Sequence, residues 1–216
     1  ENVWQRQRTP MIDGLEIVGE HPEAIGLWLE GTFQPVITRV CVRDALDGVY
    51  LTRRARNAII SNCHLYHNQG VGLLLEGLSL HQVNIDNCHI SYNAGGGIVV
   101  RTSEIRNLQI AACDIEANMP GDDTATTAAN ILLDVSGMPD DKSRSIAEVA
   151  ITGCTLQHSS NYSGKDFKVL APGGANIRFL GKKLAPIDSV TISGNVLSDT
   201  ELNVDLRACT DITLTG

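Results

Sequence analysis

The chain has 216 residues and a formal net charge of −8, from 17 Lys and Arg against 25 Asp and Glu; this acidic balance argues against a nucleic-acid binder, which needs a clustered basic face. Hydrophobic residues make up 43% of the chain, too many for a disordered protein, whereas aromatic residues make up only 4%, a composition that does not fit a helical bundle. No apolar run approaches the ~18 residues that a membrane span requires.

A series of short strands is predicted along the chain, each beginning at Gly or Asn and alternating between apolar and polar residues. An alternation with a period of two residues is typical of a β-strand. The copies occupy residues 26–29, 48–51, 72–75, 97–100, 130–133, 176–179 and 203–206. Their shorter spacings, 22 to 25 residues, indicate the length of one repeat, and the longer spacings mark repeats that carry surface loops.

A second pattern lies before these strands and has the same period. It consists of two short runs of alternating apolar and polar residues with a small step between them. It occupies residues 58–68, 83–93, 108–118, 149–159 and 190–200. Within it, Cys63, Cys88 and Cys113 lie 25 residues apart, and Cys154 follows after 41. A constant period indicates an internal repeat rather than a framework of disulfides.

Repeats of ~20–25 residues built from short strands cannot bury their apolar side alone, so the copies must stack. Equivalent strands then pair in parallel ~4.8 Å apart, and connections between parallel strands are right-handed in nearly all cases. The sequence therefore predicts an all-β fold, a right-handed parallel β-helix (solenoid) of about seven coils. Leucine-rich repeats and propellers are disfavoured because their consensus residues are absent.

Stacked coils place equivalent side chains in columns. We expect one interior column of isoleucines, at Ile60, Ile85, Ile110, Ile151 and Ile192, and one of free thiols, at Cys63, Cys88, Cys113 and Cys154. We expect a ladder of asparagines at a turn, formed by Asn68, Asn93 and Asn118. A positive φ is expected at the glycines that begin the strands, Gly26, Gly48, Gly72 and Gly97.

The spacing Ile-x-x-Cys-x-Ile-x-x-Asn-x-x-x-Gly-Ile-x-Val over residues 85–100 resembles the repeat of the pectate-lyase-like and polygalacturonase-like superfamily. The resemblance covers roughly residues 12–216. It implies activity toward carbohydrate or binding of polysaccharide, in a protein outside the cell or in the cell envelope. Of the polygalacturonase-like carboxylate positions, only Asp47 is matched here, and the Asp-Asp pair and the histidine are absent at the expected strand starts.

In carbohydrate-active members of that superfamily, the cleft lies on the strands that follow the asparagine turn. Alternation places Glu76, Arg101 and Asp134 in one outward row on successive coils of that sheet. Glu76 and Asp134 would lie ~9–10 Å apart between backbones, near the carboxylate separation of an inverting glycosidase. These three residues are the candidate catalytic residues, with Arg101 holding a sugar carboxylate or acting as a base. The alternative is an ion ladder with no catalytic role.

A neighbouring outward row supplies candidate substrate-binding residues. Trp28 and Tyr50 could stack on sugar rings, and Arg178 is placed to bind substrate further along the row. Between them, alternation predicts an exposed apolar strip that another part of the protein or another subunit covers, formed by Leu74, Val99 and Leu132. This strip is a candidate site of protein contact.

Four insertions, residues 119–129, 136–147, 160–175 and 181–188, are predicted to rise as walls around that surface. The first of them contains Asp122 and Asp123, whose carboxylates could bind Ca²⁺ with other acidic residues nearby. The alternative is a solvated polar loop without metal. No other cofactor is indicated.

The whole chain, residues 1–216, is expected to be a single β-helix domain and a fragment of a longer protein, since it begins without Met and stops midway through a coil. Two functions stay open. The first is a secreted carbohydrate-active β-helix, either a lyase or hydrolase or a polysaccharide-binding protein. The second is a non-catalytic structural or adhesive segment of a larger surface protein.

Overall fold

The computed structural model describes residues 8–142, 145–158 and 170–216. Over these ranges the chain forms 22 β-strands and no α-helix. No described segment is therefore a helix with the length and apolar character needed to cross a membrane. Each coil contributes one strand to each of three sheets, which run the length of the molecule.

The three sheets contain eight, seven and seven strands. The first sheet consists of β1 (Met11–Asp13), β4 (Val36–Thr38), β7 (Ala58–Ser61), β10 (Ser79–Asp86), β13 (Glu104–Ala111), β16 (Ile146–Thr152), β19 (Asp188–Ser193) and β22 (Ile212–Thr215). The second consists of β2 (Glu16–Val18), β5 (Cys41–Arg43), β8 (His64–Tyr66), β11 (His89–Ser91), β14 (Asp114–Glu116), β17 (Thr155–Gln157) and β20 (Val196–Ser198). The third consists of β3 (Ile25–Glu30), β6 (Asp47–Thr52), β9 (Val71–Glu76), β12 (Gly96–Arg101), β15 (Ala129–Asp134), β18 (Ala175–Leu180) and β21 (Leu202–Arg207).

All neighbouring strands pair in parallel, each with the equivalent strand of the next coil, which confirms the right-handed parallel β-helix of about seven coils. The predicted isoleucine column is also confirmed in register and is buried, at Ile60, Ile85, Ile110, Ile151 and Ile192. Because one residue of each pair in the alternation points inward, stacking these side chains produces one continuous core along the helix axis.

The corners of each coil use single residues in the left-handed conformation. Asn62, Asn87 and Ala112 have φ of 50° to 55° at the corner between the first and second sheets. A second column of left-handed residues interrupts the first sheet itself, where Gln82 and Asn107 stand within β10 and β13. Because the residues on either side of them stay paired one to one, these left-handed residues bend each strand at the same place without changing the register.

The cysteine column is confirmed: its four thiols are buried and free, at Cys63, Cys88, Cys113 and Cys154. Each thiol contacts the backbone carbonyl of a residue two positions earlier. The neighbouring Cys113 thiol and burial raise the pKa of the Cys88 and Cys154 thiols, so these side chains act as small apolar groups rather than nucleophiles.

The asparagine ladder is confirmed and is longer than predicted. The Nδ2 of Asn93 donates to Oδ1 of Asn118 at 2.7 Å, and that of Asn118 donates to Oδ1 of Asn130 at 2.9 Å. The ladder thus moves from the turn position to the start of a strand in the third sheet, and it continues through Asn176 and Asn203. Asn118 and Asn130 belong to the same coil and stand on either side of an insertion, so the first asparagine of the strand supplies the next member of the ladder.

The prediction of a positive φ at the strand-starting glycines is wrong, since Gly26, Gly48, Gly72 and Gly97 are not among the residues with positive φ. Close approach explains these glycines instead. A Cβ on Gly72 would lie 2.8 Å from Nδ2 of Asn93, and one on Gly97 would lie 2.4 Å from the carbonyl of Asn130. The space that a side chain would need is occupied by the amide ladder and the next coil.

Candidate functional site

The two outward rows predicted on the third sheet are present in the expected register. One row runs through Trp28, Tyr50, Leu74, Val99, Leu132, Arg178 and Asp205. The other runs through Glu30, Thr52, Glu76, Arg101, Asp134, Leu180 and Arg207. The predicted catalytic and substrate-binding residues therefore share one sheet face, although their surroundings differ along it.

Trp28 and Tyr50 form an aromatic pair at one end of this face. Their ring centroids are 5.5 Å apart with planes tilted by 42°, and the Trp28 side chain is 59% exposed. The Tyr50 hydroxyl donates to Oε2 of Glu76 at 2.9 Å. Burial raises the pKa of the Tyr50 hydroxyl, and its bond to the Glu76 carboxylate raises it further, so the hydroxyl remains a donor at neutral pH. Tyr50 thus holds its ring in one orientation beneath Trp28.

The candidate catalytic residues are only partly paired. The Arg101 guanidinium forms an ion pair with Oε1 of Glu76, so both oxygens of that carboxylate are engaged, one by Arg101 and one by Tyr50. Asp134 lies on the opposite side of Arg101 in the row, and its Oδ1 accepts bonds from the backbone N–H and the hydroxyl of Ser136. The predicted ion ladder therefore exists between Glu76 and Arg101 and does not extend to Asp134.

Arg178 does not reach the surface where the sequence places it as a substrate-binding residue, because its side chain is buried. Its side chain is 4% exposed, and its Nε donates to Asp205 at 2.9 Å. Its terminal nitrogens donate to the backbone carbonyls of Thr127 and Gly173, which lie in two insertions. The guanidinium fastens these insertions to the third sheet and presents no donor to a groove.

The apolar strip is covered within this chain at Leu74 and Val99, which are each only 2% exposed, whereas Leu132 is half-buried. They pack with Val71 into a small cluster on the outside of the third sheet, which Tyr50 and Leu132 border. This cluster is separate from the core inside the helix. Cover by another part of the protein, one of the two expected alternatives, is therefore present at Leu74 and Val99, and of the three strip residues only Leu132 keeps exposed area for a contact with another protein.

The predicted calcium ligands do not gather into a site. Oδ1 of Asp122 accepts the backbone N–H of Thr124 at 2.9 Å, a local turn that holds the insertion, and Asp123 is exposed beside it. No group of three or more His, Cys, Asp or Glu side chains in residues 8–142, 145–158 and 170–216 could hold a metal ion. Of the predicted wall at residues 160–175, the part up to residue 169 lies outside the described residues.

Sequence reasoning missed a groove on the outer face of the first sheet. It has a volume of about 520 Å³, and its described lining consists of Thr9, Gln34, Val36, Asn57, Ala58, Ile59, Gln82, Asn84, Asn107 and Gln109. The signal was present in the sequence, because Asn57, Gln82 and Asn107 recur 25 residues apart. The period alone does not show that these residues adopt a left-handed conformation within a strand, so this surface was not recognised.

A smaller cavity of about 320 Å³ lies beside His158 and Met119. His158 is buried, and neither of its ring nitrogens has a hydrogen-bond partner among the described residues. Burial lowers the pKa of this imidazole, which is therefore neutral at physiological pH. The cavity walls are otherwise mostly apolar.

Comparison with known proteins gave one match. A family model described as a right handed beta helix region matches residues 6–136, which is more than half of the chain. Neither the comparison with curated proteins nor the comparison with solved structures found a match.

Proposed function

Since this chain belongs to the right-handed β-helix family, we propose that it binds polysaccharide through the outer face of the third sheet around Trp28. The observation that carries this proposal is an exposed tryptophan whose orientation is held by a chain of contacts through Tyr50, Glu76 and Arg101. The surface defined by these four residues is called the aromatic face below.

The exposed Trp28 ring offers a flat apolar surface together with an indole N–H donor, the combination of contacts that a sugar ring uses. The Trp28 ring lies against Tyr50, which lies against the buried cluster around Leu74, so the platform rests on packed side chains. A flat ring held in this way contacts the apolar face of a sugar with little loss of side-chain entropy on binding. Aromatic contact therefore supports binding of a polymer of sugars.

Polar groups beside the ring supply the hydrogen bonds that such a ligand needs. Arg101 is 48% exposed while it pairs with Glu76, so its remaining donors face solvent. Asp134 follows it in the row on the next strand and stays accessible beside Ser136. Together these groups match sugar hydroxyls, and Arg101 also suits a sugar carboxylate.

A second function, cleavage of the bound polysaccharide, is favoured by the order of Glu76, Arg101 and Asp134 on three adjacent strands. Both Glu76 oxygens are engaged in the unbound protein, so a role as general acid requires the Tyr50 or Arg101 contact to open on binding. Binding without cleavage needs no such rearrangement, and it is the function we favour.

We also propose that the protein acts outside the cell or in the cell envelope, where polysaccharides of this kind occur. The four buried thiols are compatible with this proposal, because burial keeps their sulfur atoms away from oxidants in such a compartment.

The proposal is tested by measuring the affinity of the purified chain for a panel of neutral and acidic polysaccharides, by affinity electrophoresis and calorimetry. Replacing Trp28→Ala is expected to weaken binding about tenfold, because it removes the stacking contact and its buried area. Val196→Ala is the matched control, since Val196 is also 59% exposed and lies on the second sheet. Equal affinity of the Trp28→Ala and wild-type proteins would reject the aromatic face as the binding site.

Catalysis is tested in the same panel by release of reducing ends. If cleavage occurs, Asp134→Asn is expected to abolish it while the circular dichroism spectrum stays that of the wild type. Unchanged turnover would remove Asp134 from the mechanism. Absence of both binding and cleavage across the panel would instead favour a structural or adhesive β-helix.

A further inference from the structure

We propose that the groove on the outer face of the first sheet is a second binding site, and that its ligand is a neutral polysaccharide chain. The groove shares no residue with the aromatic face and lies on a different sheet. The inference therefore stands whether or not the third sheet binds a ligand.

The chemistry of the lining indicates the class of ligand. Six of the ten described lining residues carry a carboxamide, namely Gln34, Asn57, Gln82, Asn84, Asn107 and Gln109. None of these ten described residues is charged. A carboxamide has N–H donors and a carbonyl acceptor, and a sugar hydroxyl likewise both donates and accepts hydrogen bonds. Two adjacent hydroxyls of one sugar can therefore form two hydrogen bonds with one carboxamide. An acidic polymer or a nucleic acid would need cationic groups, which this lining does not supply.

Most of these amides are available to a ligand. Nδ2 of Asn57 donates to Oε1 of Gln82 at 2.7 Å. The other four side-chain amides have no hydrogen-bond partner within the described part of the chain. They belong to Gln34, Asn84, Asn107 and Gln109. A surface that offers several unpaired donors and acceptors in fixed positions is prepared for a hydroxylated ligand.

Repetition of the fold does not by itself explain these amides. The same two columns continue along the first sheet on β16 as Glu148 and Ala150, and on β19 as Ser189 and Thr191. The backbone is equivalent there and the left-handed φ persists at Glu148 and Ser189. The carboxamides are thus confined to the coils that form the groove.

The residue types at these left-handed positions are compatible with the same conclusion. Gln34 and Gln82 have φ of 56° and 65°, a conformation that Gly and Asn adopt more readily than a longer side chain. If only the backbone mattered, a shorter residue would be more favourable at both positions. The longer carboxamides of Gln34 and Gln82 reach further from the sheet than the asparagines at the equivalent positions, which brings their polar groups closer to a ligand in the groove.

The shape of the groove suits a chain rather than a single small molecule. It extends from Thr9 beside β1 to Asn107 in β13, about 19 Å along the helix axis by four strand spacings. Ile59 is exposed within it and Val36 is half-buried, so ring faces of sugars also meet apolar contacts. Successive coils present equivalent amides, and a polymer with a regular repeat can follow them.

The test uses the purified chain with hydroxyethylcellulose and galactomannan as neutral probes and polygalacturonate as the acidic comparison. The double variant Asn84→Ala with Gln109→Ala is expected to bind the neutral probes about tenfold more weakly, a change of about 1.4 kcal/mol. The matched control is Thr191→Ala, which lies in the same column on β19, outside the groove, and should bind as the wild type does.

A further variant separates binding from stability. Gln82→Gly removes one carboxamide while it relieves the left-handed conformation, so it should retain the thermal stability of the wild type and still bind the neutral probes more weakly. Wild-type affinity in both groove variants, or binding of polygalacturonate alone, would overturn the proposal. Loss of neutral binding in Trp28→Ala but not in the groove variants would overturn it as well, and would leave the aromatic face as the binding site.

Discussion

The buried side chain of Asn93 shows how single residues hold neighbouring coils together. Its Nδ2 donates to the carbonyl of Leu65 at 3.0 Å and to Asn118 at 2.7 Å. Its Oδ1 accepts from both the backbone N–H and the Nδ2 of Asn68, at 3.1 Å and 2.8 Å. One buried amide therefore bonds to groups of both neighbouring coils and links three coils together.

Replacing Asn93→Ala is expected to lower the free energy of unfolding by about 3 kcal/mol or more, because it leaves the buried N–H of Asn68 and the carbonyl of Leu65 without partners. Urea unfolding followed by circular dichroism measures this loss. A loss below about 1 kcal/mol would show that the ladder contributes little to stability.

The control for this variant lies at a nearby corner. Asn87 is exposed, has φ of 50°, and donates to Oδ1 of Asn62 at 2.7 Å. In the next coil the same position is held by Ala112 at φ 52°, so Asn87→Ala should cost about 1 kcal/mol or less. The two asparagines differ in burial rather than in residue type.

Among the structural elements, strand β18 shows how the insertions are fastened to the solenoid. Arg178 on β18 crosses from the sheet to the carbonyls of Thr127 and Gly173 and forms an ion pair with Asp205 on β21. Asp205 also accepts a bond from Arg207 at 3.0 Å. A buried guanidinium needs such a counter-charge. The Asp205 carboxylate therefore stabilises Arg178 in the position from which it binds the two insertions.

The acid stability of this element depends on Asp205. The Arg207 guanidinium and that of Arg178 hold the pKa of Asp205 below its ordinary value of 3.8. A carboxyl group whose pKa is lowered by folding stabilises the folded state above its unfolded pKa, and the contribution is lost as the pH falls through the lowered value. Asp205→Asn should therefore cost about 3 kcal/mol at pH 7, and this cost should shrink as the pH falls below 3.8 and through the lowered pKa of Asp205.

Thermal unfolding of the wild type and this variant from pH 7 to pH 2.5 measures the difference. The matched control is Asp211→Asn, an exposed position of the last coil with φ of 51°, which asparagine readily adopts. A difference between Asp205→Asn and wild type that is constant over this pH range would show that the ion pair is not the source of the effect.

On the scale of the whole molecule, the solenoid is a linear stack in which each coil contacts only its neighbours. The central coils are packed on both sides, and their inward side chains are almost completely inaccessible. At the two ends apolar side chains are exposed, as at Met11 in β1 and Leu214 in β22. Local stability should therefore vary along the helix axis.

Amide hydrogen exchange followed by mass spectrometry is expected to show the strongest protection in β9, β10, β12 and β13 and the weakest in β1 and β22. The physical reason is that an end coil loses contacts with one neighbour when it opens, whereas a central coil loses contacts with two. Uniform protection from β1 to β22 would indicate a single cooperative unit instead.

The strand rows and the register could be predicted because stacking repeats the same side-chain position in each coil. Ile85 above Ile60, Cys88 above Cys63 and Arg101 above Glu76 follow from a repeat of 25 residues and an alternation of two. The insertions could not be predicted in this way, because their residues follow no period. The burial of Arg178 and Val99 depends on surroundings outside the repeat, and neither could be assigned from alternation alone.

The sequence by itself determined the solenoid, the order of its columns and the identity of the outward rows, since these depend on local periodicity and on the need to bury one side of each strand. Only the tertiary structure decided which outward residues stay accessible. In the folded chain Trp28 is exposed and Leu74 is buried. The Arg178 guanidinium donates to backbone carbonyls, and Asn84 lines a groove rich in carboxamides. These outcomes depend on contacts between segments far apart in the chain and on the backbone conformation of single residues, neither of which follows from period and composition alone.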